Sequence, residues 1–187
     1  MAVRKVSVIA SITLLTLIGI SIDRQLFAQT TTPQFKEYKD QYGRFSIQVP
    51  KDWKIGSPDI KQDSIVILFD SNNADDVQLI VAASDRHTTI SGADYEQVIK
   101  ESNADTVALT PGARLIQSTD CTKYVIDGNK ACNMIYTTTT GTYTQEEMNI
   151  DFQTGKQGVL ITLTSSPDNF RKYVPVVEQM LNSMKVS

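Results

Sequence analysis

The sequence predicts an α+β domain in which an antiparallel β-sheet is flanked by helices. Three observations predict it: short apolar stretches with two-residue alternation recur about every ten positions after residue 34, two other stretches carry helical spacing, and the turns between the later strands are short. Short turns join antiparallel neighbours, whereas parallel strands need long crossovers. Strands in series with one helix mid-chain and one at the end fit no βαβ pattern.

Phe35 and Tyr38 begin a short extended piece. QYGRFSIQVPKDW then turns at Tyr42-Gly43 and places Phe45, Ile47 and Val49 on one face of a strand. Pro50 stops that strand, and Trp53, the only tryptophan, folds back over the core. SIVILF, from Ser64 to Phe69, is a continuous β-branched run that suits a strand covered on both faces. In VQLIVAA, Val77, Leu79 and Val81 alternate.

SGADYEQVIKES reads as a helix from Ser91 to Ser102. Ser91 is the N-cap, Asp94 stands where a capping-box acid sits, and Ile90 and Tyr95 are placed as a hydrophobic staple. Tyr95, Val98 and Ile99 form its apolar stripe. A meander follows: ARLIQS, TKYVID, KACNMIYTTTT, TYTQEEMNIDFQ and GVLITLTS, with turns at Asp127-Gly128-Asn129, around Gly141, and from Thr154 to Gly158. At the C-terminus Ser166 caps a helix with Pro167 in its first turn. Phe170, Tyr173, Val177, Leu181 and Met184 keep helical spacing, and Pro175 predicts a break with a restart.

Arg4 and Lys5 precede Val6 to Ile22, an uncharged run of 17 residues, and Leu26-Phe27-Ala28 ends in a small residue. This pattern predicts either a signal peptide removed after Ala28 or an uncleaved N-terminal anchor over residues 6–22. Both place the remainder outside the cytoplasm, with a polar lead over 29–34 and one domain over 35–187. Membrane contact is then confined to the N-terminal segment. Removing residues 1–28 takes three basic residues and one acidic residue with it, so 18 basic and 21 acidic residues become 15 and 20. That acidic balance, without a basic cluster or a Gly-rich phosphate loop, argues against nucleic acid as a partner.

YGRFSIQVPKDWKI resembles the opening of the PsbP-like domain, with a tyrosine-glycine turn, an apolar strand, a proline and a tryptophan. GVLITLTSSPDNFRKYVPVVEQMLNSMKV resembles its closing strand and proline-containing helix. The resemblance spans about Phe35 to Val186 and implies an α/β/α sandwich around an antiparallel sheet. Named members are extrinsic subunits of the oxygen-evolving photosystem that help retain calcium and chloride. It therefore implies a non-enzymatic binding or accessory domain that engages a protein partner or a membrane complex. The photosystem members dock partly through an ordered N-terminal extension, whereas here Thr30 to Gln34 precede the first strand, so the chain is closer to exported members of unknown role.

The alternative is an accessory protein of the oxygen-evolving-complex type that binds calcium, manganese or zinc. His87 is the only histidine, Asp85 stands two residues before it, and Asp75 and Asp76 precede the same strand. Imidazole and carboxylate together suit Zn²⁺ or Mn²⁺, and the acids of DSNNADD are hard oxygen donors suited to Ca²⁺. The plain reading is a solvated histidine and an acidic turn. DSNNADD has Asp75 where an EF-hand has glycine and Val81 where it has its bidentate glutamate. No cofactor is expected. No G-x-S-x-G elbow occurs, and Glu146 and Glu147 are adjacent in a strand, so they face opposite ways. The chain is accordingly read as non-enzymatic. Tyr136, Tyr143 and their threonine neighbours suit a half-buried strand pair.

Cys121 and Cys132 are the only cysteines. Two cysteines and one histidine are too few for a structural zinc site, and ten intervening residues are too many for a C-x-x-C redox motif. Outside the cytoplasm an even count favours a disulfide. Hairpin register decides the matter. With Asp127-Gly128 as a two-residue turn, Cys121 faces Met134, and the two cysteines sit diagonally at roughly 7–8 Å between Cα atoms. A wider loop from Val125 to Gly128 puts them opposite each other. The expectation is a Cys121–Cys132 bridge across the wider loop, with two separate thiols as the alternative.

Overall fold

A computed structural model of the chain describes residues 33–56, 64–70, 76–85, 90–155 and 157–187. In chain order its elements are β1 (Phe35–Lys39), β2 (Phe45–Pro50), β3 (Lys54–Gly56), β4 (Ser64–Asp70), β5 (Gln78–Asp85) and α1 (Gly92–Leu109), then β6 (Ala113–Ile126), β7 (Asn129–Thr140), β8 (Tyr143–Gln153), β9 (Gln157–Ser165), α2 (Pro167–Ser183) and β10 (Lys185–Val186). The order β3-β4-β5-β9-β8-β7-β6 makes a seven-stranded sheet, and β1-β2-β10 makes a smaller one. Every pairing is antiparallel. The α+β class expected from alternation and short turns is the one observed.

Alternation along β7 sorts the two faces of the large sheet. Ala131 joins the main core with Met148, Ile150, Phe152, Val159, Ile161 and Leu163. Phe45, Ile47 and Val49 of β2 and Phe170, Val177, Met180 and Leu181 of α2 close over that face. The next residue, Cys132, points the other way and packs with Cys121 and with Tyr95 and Ile99 of α1. The sheet therefore lies between the two helices, α2 with the small sheet on one side and α1 on the other. Trp53 is buried in the main core, with its ring centroid 6.1 Å from that of Tyr173.

Five elements differ from the sequence reading, each for a physical reason. α1 runs to Leu109, seven residues beyond Ser102. Its buried residues are Tyr95, Ile99 and Asn103, spaced i, i+4, i+8, while Val98 is exposed. The third member of the stripe is polar, and its amide donates to Thr119 Oγ1 of β6 at 3.1 Å, so apolar periodicity could not reveal the second half of the helix. α2 is continuous through Pro175. The proline is exposed, and the four buried side chains on the inner face of α2 are worth about 2 kcal/mol each, which outweighs the ~3 kcal/mol cost of an interior proline. ARLIQS and TKYVID are one strand, β6, interrupted by bulges rather than by a turn. The short β3 and β10 carry too few residues to show a period.

The hairpin turn between β6 and β7 is the two-residue Asp127-Gly128, with Ile126 opposite Asn129. Both turn residues have positive φ, 47° and 81°, as a type I′ turn requires. The Asp127 carboxylate accepts from the Val186 N–H and from Lys185 Nζ, each at 3.0 Å, and so ties the hairpin tip to β10. These bonds hold its pKa below the ordinary carboxylate value, the Val186 N–H first and Lys185 second. A depressed folded-state pKa contributes stability that is present above the unfolded pKa and is lost as pH falls through the folded one. Asp127→Asn keeps a residue suited to type I′ geometry and removes the charge. Thermal melts should show Asp127→Asn less stable than the parent at pH 7, with the gap closing as pH falls below about 4. A gap that persists unchanged in acid would count against the carboxylate as its source.

Candidate functional site

The most distinctive geometry lies between α1 and β6, the terminal strand of the large sheet. α1 ends at Thr110, where Pro111 disfavours further helix, and Gly112 turns the chain into β6. Gly112 has φ +74°, and a Cβ there would collide with the Thr139 carbonyl, so no other residue fits this corner without backbone movement. The Thr139 N–H closes the corner by donating to Gly112 O at 3.1 Å.

From this corner β6 does not track β7 evenly. Ala113 pairs with Thr138 and Tyr124 with Ala131, so eleven steps on β6 oppose seven on β7. The four extra residues are taken up at three register shifts, and Ile116, Ser118 and Thr119 have no register partner on β7. Bulges bend a strand and occur preferentially at sheet edges and beside binding sites. The last shift sets Asp120 through Tyr124 against Asn133 through Ala131, which is two extra residues. It brings Cys121 beside Cys132, and the two form a disulfide with Cα atoms 3.9 Å apart. The wider loop expected from register arithmetic is therefore not what makes the bridge. The turn stays at two residues and the bulge supplies the offset.

Both faces of the bulge are fastened. On the α1 side the disulfide sits under Tyr95 and Ile99, with Cys121 4% and Cys132 1% exposed. On the α2 side Glu178 accepts from the Tyr124 hydroxyl at 2.9 Å and pairs with Lys123 at 3.0 Å. Burial pulls the Lys123 pKa down, but its hydrogen bonds with Tyr124 and Glu178 prevail and raise it. Glu178 is lowered, first by its bond from Lys123.

Between α1 and the arched strand lies an open cleft. Its apolar half has a volume of about 370 Å³ and is lined by Lys100, Ala104 and Val107 of α1 with Leu115, Ser118, Thr119 and Met134. Its polar half continues past Lys100 to Glu96, Asp120 and Lys123. Glu96 accepts from Lys130 at 2.7 Å, and this bond is the main reason that its pKa lies below the ordinary value. Asp120 accepts from the Thr122 hydroxyl and N–H, which lower its pKa in that order. The two elements that form the cleft carry exposed apolar side chains: Leu109 of α1 at 81%, Ile116 of β6 at 55%, and Leu115 at 47%, which lines the cleft itself. Among the described residues, five of the nine exposed large hydrophobics are on α1 or β6.

Of the residues singled out in the sequence as metal ligands, the two described, Asp76 and Asp85, lie apart. Asp85, at the end of β5, is paired with Arg44, whose Nη2 lies 3.4 Å from its carboxylate and whose Nη1 donates to Ala83 O. Asp76 precedes the opposite end of β5 and accepts from the Tyr143 hydroxyl at 3.2 Å. The strand between them separates the two carboxylates by roughly 25 Å, too far to share an ion. His87 and Asp75 lie outside the described residues. Among the described residues no three His, Cys, Asp or Glu side chains are grouped as a metal site would need.

Glu146 and Glu147 do point to opposite faces. Glu147 accepts from the Tyr136 and Thr138 hydroxyls, while burial raises the Glu146 pKa and the charge of Arg171 in α2 opposes that rise. Tyr136 is buried and its pKa is pushed up by burial and then by Glu147, so it serves a structural pair. Sequence reasoning missed Lys100, Asn103, Val107, Leu115 and Met134. The available signal was the adjacent Leu115-Ile116 pair, which breaks strand alternation where the bulges begin.

No protein-family model matches the chain, and no curated protein matches it in sequence. Solved structures do. The cyanobacterial PsbP (CyanoP) of Synechocystis sp. PCC 6803 superposes with a TM-score of 0.60 at 14% identity, covering 85% of this chain and 96% of that one. The fold is PsbP-like. LpqN, involved in cell envelope biogenesis of Mycobacterium tuberculosis, superposes at 0.58 with 11% identity, covering 82% and 91% of the two chains. The Saccharomyces cerevisiae Ran-binding protein Mog1p superposes at 0.55 with 10% identity, covering 83% and 96%. At these identities the likeness is one of fold. It agrees with the α/β/α arrangement of the PsbP-like domain expected from the opening and closing segments.

Closing a loop of this size by a disulfide is worth about 3 kcal/mol in chain-entropy terms. The double replacement Cys121→Ala with Cys132→Ala should lower Tm by about 6–12 °C in a scanning melt. Because the bridge also supports Tyr95 and Ile99, amides of α1 should lose hydrogen-exchange protection in that variant more than amides of α2. Equal loss in both helices would detach α1 from the bridge.

Proposed function

We propose that this chain is a non-catalytic accessory domain that works outside the cytoplasm and engages a protein partner through the cleft between α1 and β6. The observation that carries the reading is an open, half-apolar cleft on a sheet edge, between two elements that carry five exposed large apolar side chains. Monomeric surfaces rarely concentrate apolar groups without a partner for them. Lys100 apart, the titratable groups of the same cleft are held in ion pairs or hydrogen-bonded turns, an arrangement suited to shaping a surface rather than moving protons. The disulfide supports an oxidising compartment, and the positively charged, apolar N-terminal pattern supports export or anchoring. Fold neighbours that include an envelope-biogenesis protein and a Ran-binding protein are compatible with a role in protein association. A membrane-associated complex is the natural setting if residues 6–22 are retained as an anchor.

Photo-crosslinking in the producing cell tests this directly. A photoreactive residue placed at Leu109, Leu115 or Ile116 should yield a discrete protein adduct, and one at Tyr42 or Ile55 should not. No adduct at any of the five positions would overturn the binding role. An adduct only at Tyr42 or Ile55 would keep the role and move the surface.

The reading involves no metal. Melting curves with Ca²⁺, Mn²⁺ or Zn²⁺ against chelator should therefore coincide. A rise of several degrees with one ion would transfer the assignment to cation binding, because a ligand held only by the folded state raises Tm.

A further inference from the structure

We infer that the occupant of the α1–β6 cleft is an extended peptide segment of the partner, carrying a large apolar side chain and a carboxylate two positions away from it. The inference rests on the protein-binding reading above and specifies the chemistry of what binds. The backbone argument comes first. β6 is the terminal strand of its sheet, and Ile116, Ser118 and Thr119 have no register partner on β7. Such an edge offers main-chain groups to an added strand, and an extended peptide uses them while alternate side chains enter the adjoining pocket.

The pocket sets the first side chain. Ala104, Val107, Leu115 and Met134 enclose the apolar half of the cleft, and its volume of about 370 Å³ has room for one large apolar group with its flanking backbone.

Charge sets the second. Lys100 lines both halves of the cleft and stands where they meet. Glu96 is paired with Lys130, Asp120 is hydrogen-bonded by Thr122, and Lys123 is paired with Glu178. Lys100 is near enough to Glu96 to help lower its pKa, yet it makes no hydrogen bond or ion pair of its own among the described residues. Among the described residues the cleft thus presents, beside an apolar pocket, one ammonium that makes no hydrogen bond or close ion pair, its neighbour Glu96 being already bonded to Lys130. A basic segment would meet Lys100 and find the carboxylates already engaged. On an extended peptide, residues i and i+2 lie on the same side, about 6.6 Å apart. An acid at that spacing reaches toward Lys100 when its apolar neighbour fills the pocket.

The test is selection of phage-displayed random peptides on the immobilised full chain, followed by titration of the enriched sequence as a synthetic peptide. Enriched peptides should share a large apolar residue with Asp or Glu two positions before or after it. Binding should weaken at least tenfold in Lys100→Met and in Leu115→Gln, and should be retained in Lys100→Arg. Melting temperatures of all three variants should match the parent, since both positions are exposed. Peptides without the acid, or peptides indifferent to Lys100→Met and Leu115→Gln, would overturn the inference while leaving the binding role intact. So would Lys100-dependent sedimentation with phosphatidylglycerol vesicles in the absence of any enriched peptide. Failure of the binding role itself shows separately, as the absence of a photo-adduct at every position.

Discussion

The four-residue excess of β6 over β7 is the constraint on which the rest of this edge depends. A terminal strand with three register shifts is weakly specified by its ladder alone, because each unpaired residue gives up a main-chain bond and loosens the register. The Cys121–Cys132 bridge sits at the largest shift and fixes which residues oppose each other. With that point held, Cys121 faces α1 while Lys123 and Tyr124 reach α2, and both helices are referenced to the same short stretch of chain. The Gly112 corner and the Asn103–Thr119 bond then hold the arch open at its other end. The cleft is the space left between α1 and a strand too long for its neighbour.

The same bulges also protect the edge. A long, flat terminal strand is a template for unwanted pairing, and irregular strands with charged side chains resist it. β6 carries Arg114, Asp120 and Lys123 among its shifts. An edge of this kind refuses a generic strand but can accept one whose side chains match the adjoining pocket. That selectivity is consistent with a binding surface, and the ion pairs in the polar half add to it by leaving Lys100 as the cation there without a close partner.

Two of the acids that drew attention in the sequence, Asp76 and Asp85, have structural partners. Asp85 holds Arg44 and so links the β2 hairpin to β5, and Asp76 meets Tyr143 at the far end of the sheet. Asp127 joins the hairpin tip to the C-terminal strand. Each carboxylate works at a junction between elements that are distant in sequence. Proximity along the chain, which grouped Asp76 with Asp85, says little about proximity across an extended strand.

Composition and period determined much by themselves. The strands with clean alternation, the Asp127-Gly128 turn, the N-cap at Ser91 and the amphipathic closing helix all follow from local geometry, since backbone preference and burial of one face agree there. The PsbP-like fold was legible for the same reason, in YGRFSIQVPKDWKI and the final strand and helix. The cleft was not legible. A polar Asn103 in the buried stripe hid half of α1, and three bulges broke the alternation of β6 into two apparent strands. The disulfide shows the division most clearly. The two cysteines and the compartment expected for them pointed to a bridge, while the turn signal taken alone set the sulfurs diagonally. Only pairing with β7 reveals the two extra residues that bring them together, because a bulge is defined by the partner strand and leaves no fixed mark on its own.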